Sequence, residues 1–422
     1  MSAPASTATL QIDGIAAGGD GVARHEGMVV FVPRAVPGDE VLVALERHKR
    51  FARGQVLRVL VPSPERVEPA CPHYLVDRCG GCQLQGLAYE AQCRAKGRIV
   101  ADALTRLAGR AVGTVPVAPS PTPFRYRNAL SLALRRDRLR PGGWLAGLHV
   151  QGRPDELFAL VDCRITRDDV NAAWQAVLRA GEHLPRAFQL RGTIRALGDG
   201  AMGLHIEGGE RWPEGAIRAL AEAVPALAAI WWTAEDGRRA LRFDRRQEAL
   251  PLASFAQVND AVAEALRAHV LAMVQDVAPG RVVDAYAGTG AYAVPLAARG
   301  IATVAIELDP DAASAMAAAF RAARAPRAAV RPGRVEVVLP EVLPADVVVL
   351  NPPRAGVAEG VMAALAAVPP QRLVYVSCDP ATLARDLARL GPGWRLHDVR
   401  AFDMFPQTAH VETVCTLDRE DG

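Results

Sequence analysis

The run Arg281-Val-Val-Asp-Ala-Tyr-Ala-Gly-Thr-Gly-Ala-Tyr292 limits what this chain can fold into more than any other stretch. A short apolar strand enters a glycine turn, and a helical pattern follows. About twenty residues later Ala302-Thr-Val-Ala-Ile-Glu307 reads as a second strand ending in an acid. From about Ala261 onward helices alternate with short apolar strands, the pattern of a parallel, doubly wound α/β sheet. A glycine turn lets a ligand approach the backbone, and an acid at this spacing takes ribose hydroxyls, so an adenosine-containing cofactor is expected. Asp284, just ahead of the glycines, would repel a pyrophosphate but suits the cationic methionine end of S-adenosylmethionine. Val347-Val-Val-Leu-Asn-Pro-Pro-Arg354 then puts Asn-Pro-Pro at the end of another strand. Dehydrogenases do not need that feature, whereas methyltransferases acting on planar nitrogenous substrates commonly carry it. S-adenosylmethionine is therefore preferred over a nicotinamide cofactor.

The rest of the chain divides by punctuation. Thr9–Ile15, Gly21–Pro33, Asp39–Leu45 and Gly54–Val61 read as short strands separated by turns such as Gly18-Gly-Asp-Gly21 and Pro37-Gly-Asp39, which suggests a small OB-like barrel. Arg47-His-Lys-Arg-Phe-Ala-Arg53 is a basic loop suited to a phosphate backbone or simply to solvent. Pro62-Ser-Pro64 reads as a linker, a cysteine-bearing stretch follows, and a helix is expected from Ala88 to about Leu107. Residues 112–255 mix strand-like and polar stretches, as in an α+β domain. Within them Phe124–Arg140 holds arginines 125, 127, 135, 136, 138 and 140 against the single acid Asp137, with two aromatics, a mixture suited to RNA backbone contact and base stacking. Of the 49 basic residues all but Lys49 and Lys96 are arginine, but the net charge is only +3, which is no nucleic-acid signature by itself. Abundant Ala, Gly and Pro trace most of the arginine excess to a GC-rich genome. No apolar run approaches a membrane span, and the first ten residues lack the pattern of a secretory signal. Seven cysteines without such a signal fit a reducing cytoplasm better than a disulfide framework.

Two sets of cysteines are placed where chemistry happens. Cys378 follows the strand-like run Leu373-Val-Tyr-Val376 and precedes Pro380 and a helical pattern, so it stands at the tip of a strand. On this placement alone it is either a nucleophile or an inert small apolar residue. Cys71, Cys79 and Cys82 lie close in sequence and Cys163 is distant; four thiolates satisfy either zinc or an iron–sulfur cluster. Cys93 and Cys415 read as core residues.

Taken together, five stretches resemble the RNA uracil-5-methyltransferases: Cys71…Cys79-Gly-Gly-Cys82-Gln, Phe255-Ala-Gln-Val-Asn259, Asp284-Ala-Tyr-Ala-Gly-Thr-Gly290, Tyr375-Val-Ser-Cys-Asp-Pro-Ala-Thr382 and Asp403-Met-Phe-Pro-Gln-Thr-Ala-His-Val-Glu412. The resemblance implies a TRAM barrel over 1–62, a central iron–sulfur and RNA-binding domain over 63–255, and a Rossmann-like methyltransferase domain over 256–422. It implies Cys378 as nucleophile and Glu412 as general base, with Gln257, Tyr286, Gly288, Gly290, Glu307 and Asn351 around S-adenosylmethionine. His410 is expected to be structural. Cys71, Cys79, Cys82 and Cys163 would hold a [4Fe–4S] cluster, the first gap being slightly longer than usual in the family. Having both a TRAM-like barrel and these cysteines points to 23S rRNA rather than tRNA as the substrate of a cytoplasmic, monomeric enzyme. The chain departs from the family pattern at Asn351, where Asp is usual, at Asp379, where Asn is usual, and at Ala291, where Asn is frequent. Asp379 puts a negative charge beside the thiol, which would raise its pKa.

Overall fold

In Glu40–Arg47 every second side chain points inward, burying Val41, Val43 and Leu45, as a pleated strand with one wet face requires. The same period recurs through a six-stranded sheet whose spatial order is Ser6–Gln11, Glu40–Arg47, Ala52–Val61, Met28–Val32, Gly21–His25 and Gly14–Ile15. Leu10, Ile12, Val30, Val32 and Ala52 complete its core. The computed structural model describes residues 6–246 and 257–420; Phe255 and Ala256 lie outside the described residues, and so does the expected boundary at 255/256.

The linker is fastened to this barrel. Asp39 is fully buried and accepts from the backbone N–H groups of Val36 (2.8 Å) and Ser63 (2.9 Å) and from the Arg66 guanidinium. Arg34 reaches out of the barrel to the carbonyls of Tyr74 and Cys79 (3.2 Å), with its guanidinium carbon 4.1 Å from the centre of the Tyr74 ring.

The central unit is a seven-stranded sheet ordered Arg153–Ala159, Trp144–Val150, Ala129–Arg136, Gln189–Gly198, Ala201–Glu207, Leu227–Thr233 and Arg239–Asp244. The amphipathic helices Asp168–Arg179 and Glu214–Ala223 bury Trp174, Val177, Ile217 and Leu220 against Leu130, Leu134, Ile194, Leu204 and Ile206.

The C-terminal sheet has eight strands: Ala328–Pro332, Ala302–Glu307, Arg281–Ala285, Val347–Leu350, Arg372–Ser377, Glu412–Arg419, Trp394–Phe402 and Val117–Ala118. The first five pair in parallel, and Glu412–Arg419 runs antiparallel between two of its neighbours. Strands covered on both faces read as continuous apolar runs, and Val347–Leu350 is buried at every position. Strand order reverses beside Arg281–Ala285, and it is at the carboxyl edge of such a switch point that doubly wound sheets bind ligands.

Residues 89–118 belong physically to this last unit. Helix Tyr89–Leu107 buries Val100 and Leu104 in the same core as Val283, Leu383, Leu387 and Trp394. A Cβ at Gly97 would lie 2.5 Å from the Val115 carbonyl oxygen, so this residue must be glycine for the following segment to pass. That segment reaches Val117–Ala118, which pairs with Ala401 and Phe402. The 3.6-residue period foretold the helix, but a period does not say which sheet the apolar stripe will cover. Among the described residues no helix is long and apolar enough to cross a membrane.

Candidate active site

Ser377 pairs with Thr413 at the end of the antiparallel ladder between Arg372–Ser377 and Glu412–Arg419. Cys378 follows Ser377 and Glu412 precedes Thr413, so both lie at this end of the ladder, close enough for the Glu412 charge to act on the thiol. Glu412 is only 4% exposed, and burial pushes its carboxyl up to about 7 despite the Arg354 cation nearby. Burial also raises the Cys378 thiol, as do the charges of Glu412 and Asp379, while a hydrogen bond and the positive charge of Arg354 act in the opposite direction. The thiol is not sealed in the core; its residue is partly exposed.

Asp379 has a local reason to be acidic. It is the N-cap of helix Pro380–Leu390, and its Oδ1 accepts from the Thr382 N–H at 2.8 Å. Pro380 occupies the first turn, where a missing N–H costs nothing. The helix N-terminus therefore stands beside Cys378, where its dipole favours a thiolate and offsets the carboxylate.

The rest of the site comes from neighbouring strand ends. Ala285 is in register with Ile306 on one side and Leu350 on the other, so Tyr286, Glu307 and Asn351 leave the carboxyl edges of three adjacent strands. Glu307 accepts from the N–H groups of Gly288 and Asp309, each at 2.7 Å, which fixes the glycine turn against the acid. Tyr286 (φ 64°), Gly288 (φ 57°) and Gly290 (φ 88°) all take the left-handed conformation. A Cβ at Gly290 would meet Val294 and Met316 at 2.7–3.0 Å. Asp284 is fully buried; its Oδ2 accepts from the Ala293 N–H (2.9 Å), its Oδ1 has no partner, and burial pushes the carboxyl up to about 7. The Gln257 Oε1 is likewise buried without a partner. The orphaned Asp284 oxygen at the foot of the glycine turn fits a ligand bearing a cationic amino-acid end. Asn351 holds the strand end through its own N–H, 3.3 Å from the Ala285 carbonyl. Ala291 is exposed.

Arg354 is a side chain of this site to which sequence reasoning gave no role. It follows Asn-Pro-Pro, its Nη2 lies 3.0 Å from His410 Nδ1, and its charge acts on both Cys378 and Glu412. Its signal was visible as a cation after a rigid Pro-Pro turn at a strand end. His410 is thus linked through Arg354 to the neighbourhood of Cys378 and Glu412.

The loop 403–411 joins strand Trp394–Phe402 to Glu412 and is held from several sides. Asp403 pairs with Lys96, both fully buried. The Tyr126 hydroxyl donates to the Pro406 carbonyl at 3.1 Å. Tyr126 is accordingly core, and Phe124 packs partly buried in the same cluster, so these two aromatics are not free to stack on bases. Arg125 is also engaged internally, with the Asp162 carboxylate and the carbonyls of Cys163 and Thr166. The basic stretch is therefore partly architectural. Arg138 and Arg140 remain exposed.

Cys71, Cys79, Cys82 and Cys163 all line one cavity of about 130 Å³, together with Tyr74, Gln85 and Arg127. Arg125 and the side chain of Asn171 hold the Cys163 turn, and the Gln85 Oε1 accepts from the Cys71 N–H. Among the described residues no group of three or more His, Cys, Asp or Glu side chains is arranged to hold a metal ion. Cys415 is fully buried, and Cys93 is partly so on helix Tyr89–Leu107.

Comparison with known proteins agrees with this geometry. Residues 332–420 match the model of the tRNA (uracil-5-)-methyltransferase family, and residues 4–57 match the TRAM domain. An uncharacterized RNA methyltransferase of Thermosynechococcus vestitus is 34% identical over 98% of both chains. Another from Halalkalibacterium halodurans is 31% identical over 95% of this chain and 94% of its own. The tRNA (uracil-54, C5)-methyltransferase of Pyrococcus abyssi, solved with S-adenosyl-L-homocysteine, shares the fold with a TM-score of 0.72 over 97% of this chain and all of its own, at 23% identity. With a TRAM barrel in front and the uracil-5 signature spanning Cys378 and Glu412, the chain belongs to the RNA (uracil-5-)-methyltransferase family, whose methyl donor is S-adenosylmethionine.

Proposed function

We propose that this chain methylates C5 of a uridine in 23S rRNA through a transient covalent bond between Cys378 and C6 of the uracil ring. The juxtaposition of Cys378 and Glu412 at the end of one ladder carries this reading. Uracil C5 is a poor nucleophile. Addition of the Cys378 thiolate to C6 places an electron pair on C5 and the 4-carbonyl, as an enolate. S-adenosylmethionine, when bound, supplies a methyl group on a sulfonium. Once C5 carries the methyl, the Glu412 carboxylate takes the C5 proton, the pair left behind forms C5=C6, and the C6–S bond breaks to return the thiolate. Arg354 and the start of helix Pro380–Leu390 favour the thiolate form of Cys378. Gln257, Tyr286, Gly288, Gly290, Glu307 and Asn351 hold the donor. A target uridine must leave its stack to reach Cys378.

Cys71, Cys79, Cys82 and Cys163 would hold a [4Fe–4S] cluster. The support is that all four cysteines line one cavity, together with the family resemblance of their spacing. Methyl transfer moves no electrons, so such a cluster would be structural, joining the cysteine loop to the Cys163 turn. The TRAM barrel combined with these four cysteines supports 23S rRNA over tRNA as substrate.

Mass spectrometry of rRNA and tRNA from a deletion strain tests the assignment. The expected result is loss of one or more 5-methyluridines from 23S rRNA alone. Loss confined to tRNA would make tRNA the substrate, and no loss from either would defeat the reading.

A further inference from the structure

Gln92 is a buried amide on helix Tyr89–Leu107, 1% exposed, and it contacts two loops at once. Its Nε2 donates toward the carbonyls of Leu84 (3.1 Å) and Leu87 (2.8 Å), in the segment that follows Cys82, and toward the Gln407 Oε1 (3.0 Å). Its Oε1 accepts from the Gln407 N–H at 3.0 Å. The backbone continues the same seam: the N–H groups of Gln83 (3.1 Å) and Leu84 (2.9 Å) both donate to the Gln407 carbonyl. The Gln83 Oε1 accepts from the Ala409 N–H (3.3 Å), while its Nε2 donates to the Gly80 carbonyl (2.9 Å). Gln407 itself is buried in the left-handed conformation (φ 71°), which a non-glycine residue adopts only when its surroundings impose it. The barrel closes the junction, because the turn at Gly19 packs on both Gln83 and Ala409. No hydrogen bond in this seam serves the barrel, central or C-terminal sheet ladders. The Gln83 and Leu84 bonds to Gln407 and Ala409 tie the cysteine loop directly to the nine-residue connection before Glu412, and Gln92 bridges the same two segments from its helix.

We propose that Gln92, assisted by Gln83, is a positioning residue for the proton-abstraction step: the two amides fasten loop 403–411 to the cysteine loop, so that Glu412 is aimed only when the cysteine loop is formed. This rests on the assignment of Glu412 as base in the preceding section. It goes beyond that assignment by linking three units of the chain to one chemical step. A loosened clamp leaves Cys378 on its own strand and helix, so addition to C6 and methyl transfer proceed. The methylated adduct then waits for a base that is out of line.

The test uses the full-length enzyme and an RNA carrying the target uridine. Gln92→Leu removes every polar contact of that side chain at similar volume. Gln83→Ala acts at a partly exposed site, where folding is less at stake. Gln83→Glu keeps the acceptor for Ala409 and loses only the donor to Gly80. Covalent protein–RNA adduct is counted on denaturing gels during turnover, beside kcat, the KM for S-adenosylmethionine and the melting temperature. We expect Gln92→Leu and Gln83→Ala to lower kcat by roughly tenfold to a hundredfold, as a misplacement of about 1 Å does. KM should stay within about twofold, adduct should accumulate, and Gln83→Glu should recover most of the lost rate. Glu412→Gln is the control. If it accumulates adduct and neither clamp variant does, the positioning role is wrong and the base assignment stands. A loss of kcat in both clamp variants that follows a fall in melting temperature, without adduct, equally overturns it. If Glu412→Gln itself yields no adduct, the base assignment fails first and the inference with it.

Discussion

Cys378 and Glu412 lie at the same end of one strand pair; burial raises both, the Glu412 charge raises the thiol further, and the Arg354 cation lowers both. If Cys378 adds to C6 as proposed, Cys378→Ala should bring methyl transfer to RNA down to background with S-adenosylmethionine binding retained, measurable by equilibrium dialysis. The pH dependence follows from the direction of the two shifts. As the proposed base, Glu412 has to be ionised to take the C5 proton, and its carboxyl is pushed up to about 7. Single-turnover decay of the adduct should therefore slow about tenfold per unit below that point and level off above it. Cys378 is shifted upward as well, so adduct formation also gains with rising pH; a decay rate that is flat or faster in acid would contradict the base assignment. At this scale the motifs were informative, because both residues sit in fixed spacing to a strand end. Arg354 was not recognised, since its partners come from residues 56 positions apart or from the other side of the ladder, and only the folded chain brings them together.

The elements of the site depend on backbone conformations and on one buried charge. Gly290→Ala puts a methyl group within 2.7–3.0 Å of Val294 and Met316 at a φ of 88°. It should cost roughly 1–3 kcal/mol of stability and raise the KM for the methyl donor, read from chemical denaturation and initial rates. Asp284 is fully buried with its folded pKa raised from 3.8 to about 7. A carboxyl raised in this way contributes fully below about pH 4, and the contribution is lost as pH rises toward and past 7. Asp284→Asn should thus leave ligand-free stability unchanged at pH 4 and increase it above pH 7, by at most roughly 4 kcal/mol. Melting curves at the two pH values decide it; equal effects at both would show that the charge is not the cause. The elements themselves were largely legible. The strands of the barrel begin and end within a few residues of the runs bounded by Gly and Pro, and Tyr89–Leu107 is the helix its period announces. What the period left open was its destination, the C-terminal sheet.

On the scale of the molecule, the contacts between units are polar and buried. Lys96 and Asp403 are both fully buried and join helix Tyr89–Leu107 to the loop before Glu412; the Lys96 ammonium also donates to the Phe405 carbonyl at 3.0 Å. Lys96→Met leaves an uncompensated carboxylate and should destabilise the chain by about 3–5 kcal/mol. Adding Asp403→Leu should restore most of that stability, as replacement of a whole buried pair does, and denaturant titration of single and double variants measures both. The sequence by itself determined the parallel α/β architecture of the last unit and the barrel of the first, because strand and helix periods and turn chemistry are local; its family motifs named the candidates for methyl transfer. The tertiary structure alone decided which cations face the thiol, which arginines and aromatics are spent on internal contacts, and how the cysteine loop meets the segment ending at Glu412. Those depend on side chains as much as 315 residues apart, as with Gln92 and Gln407, and no local pattern encodes a pairing of that range.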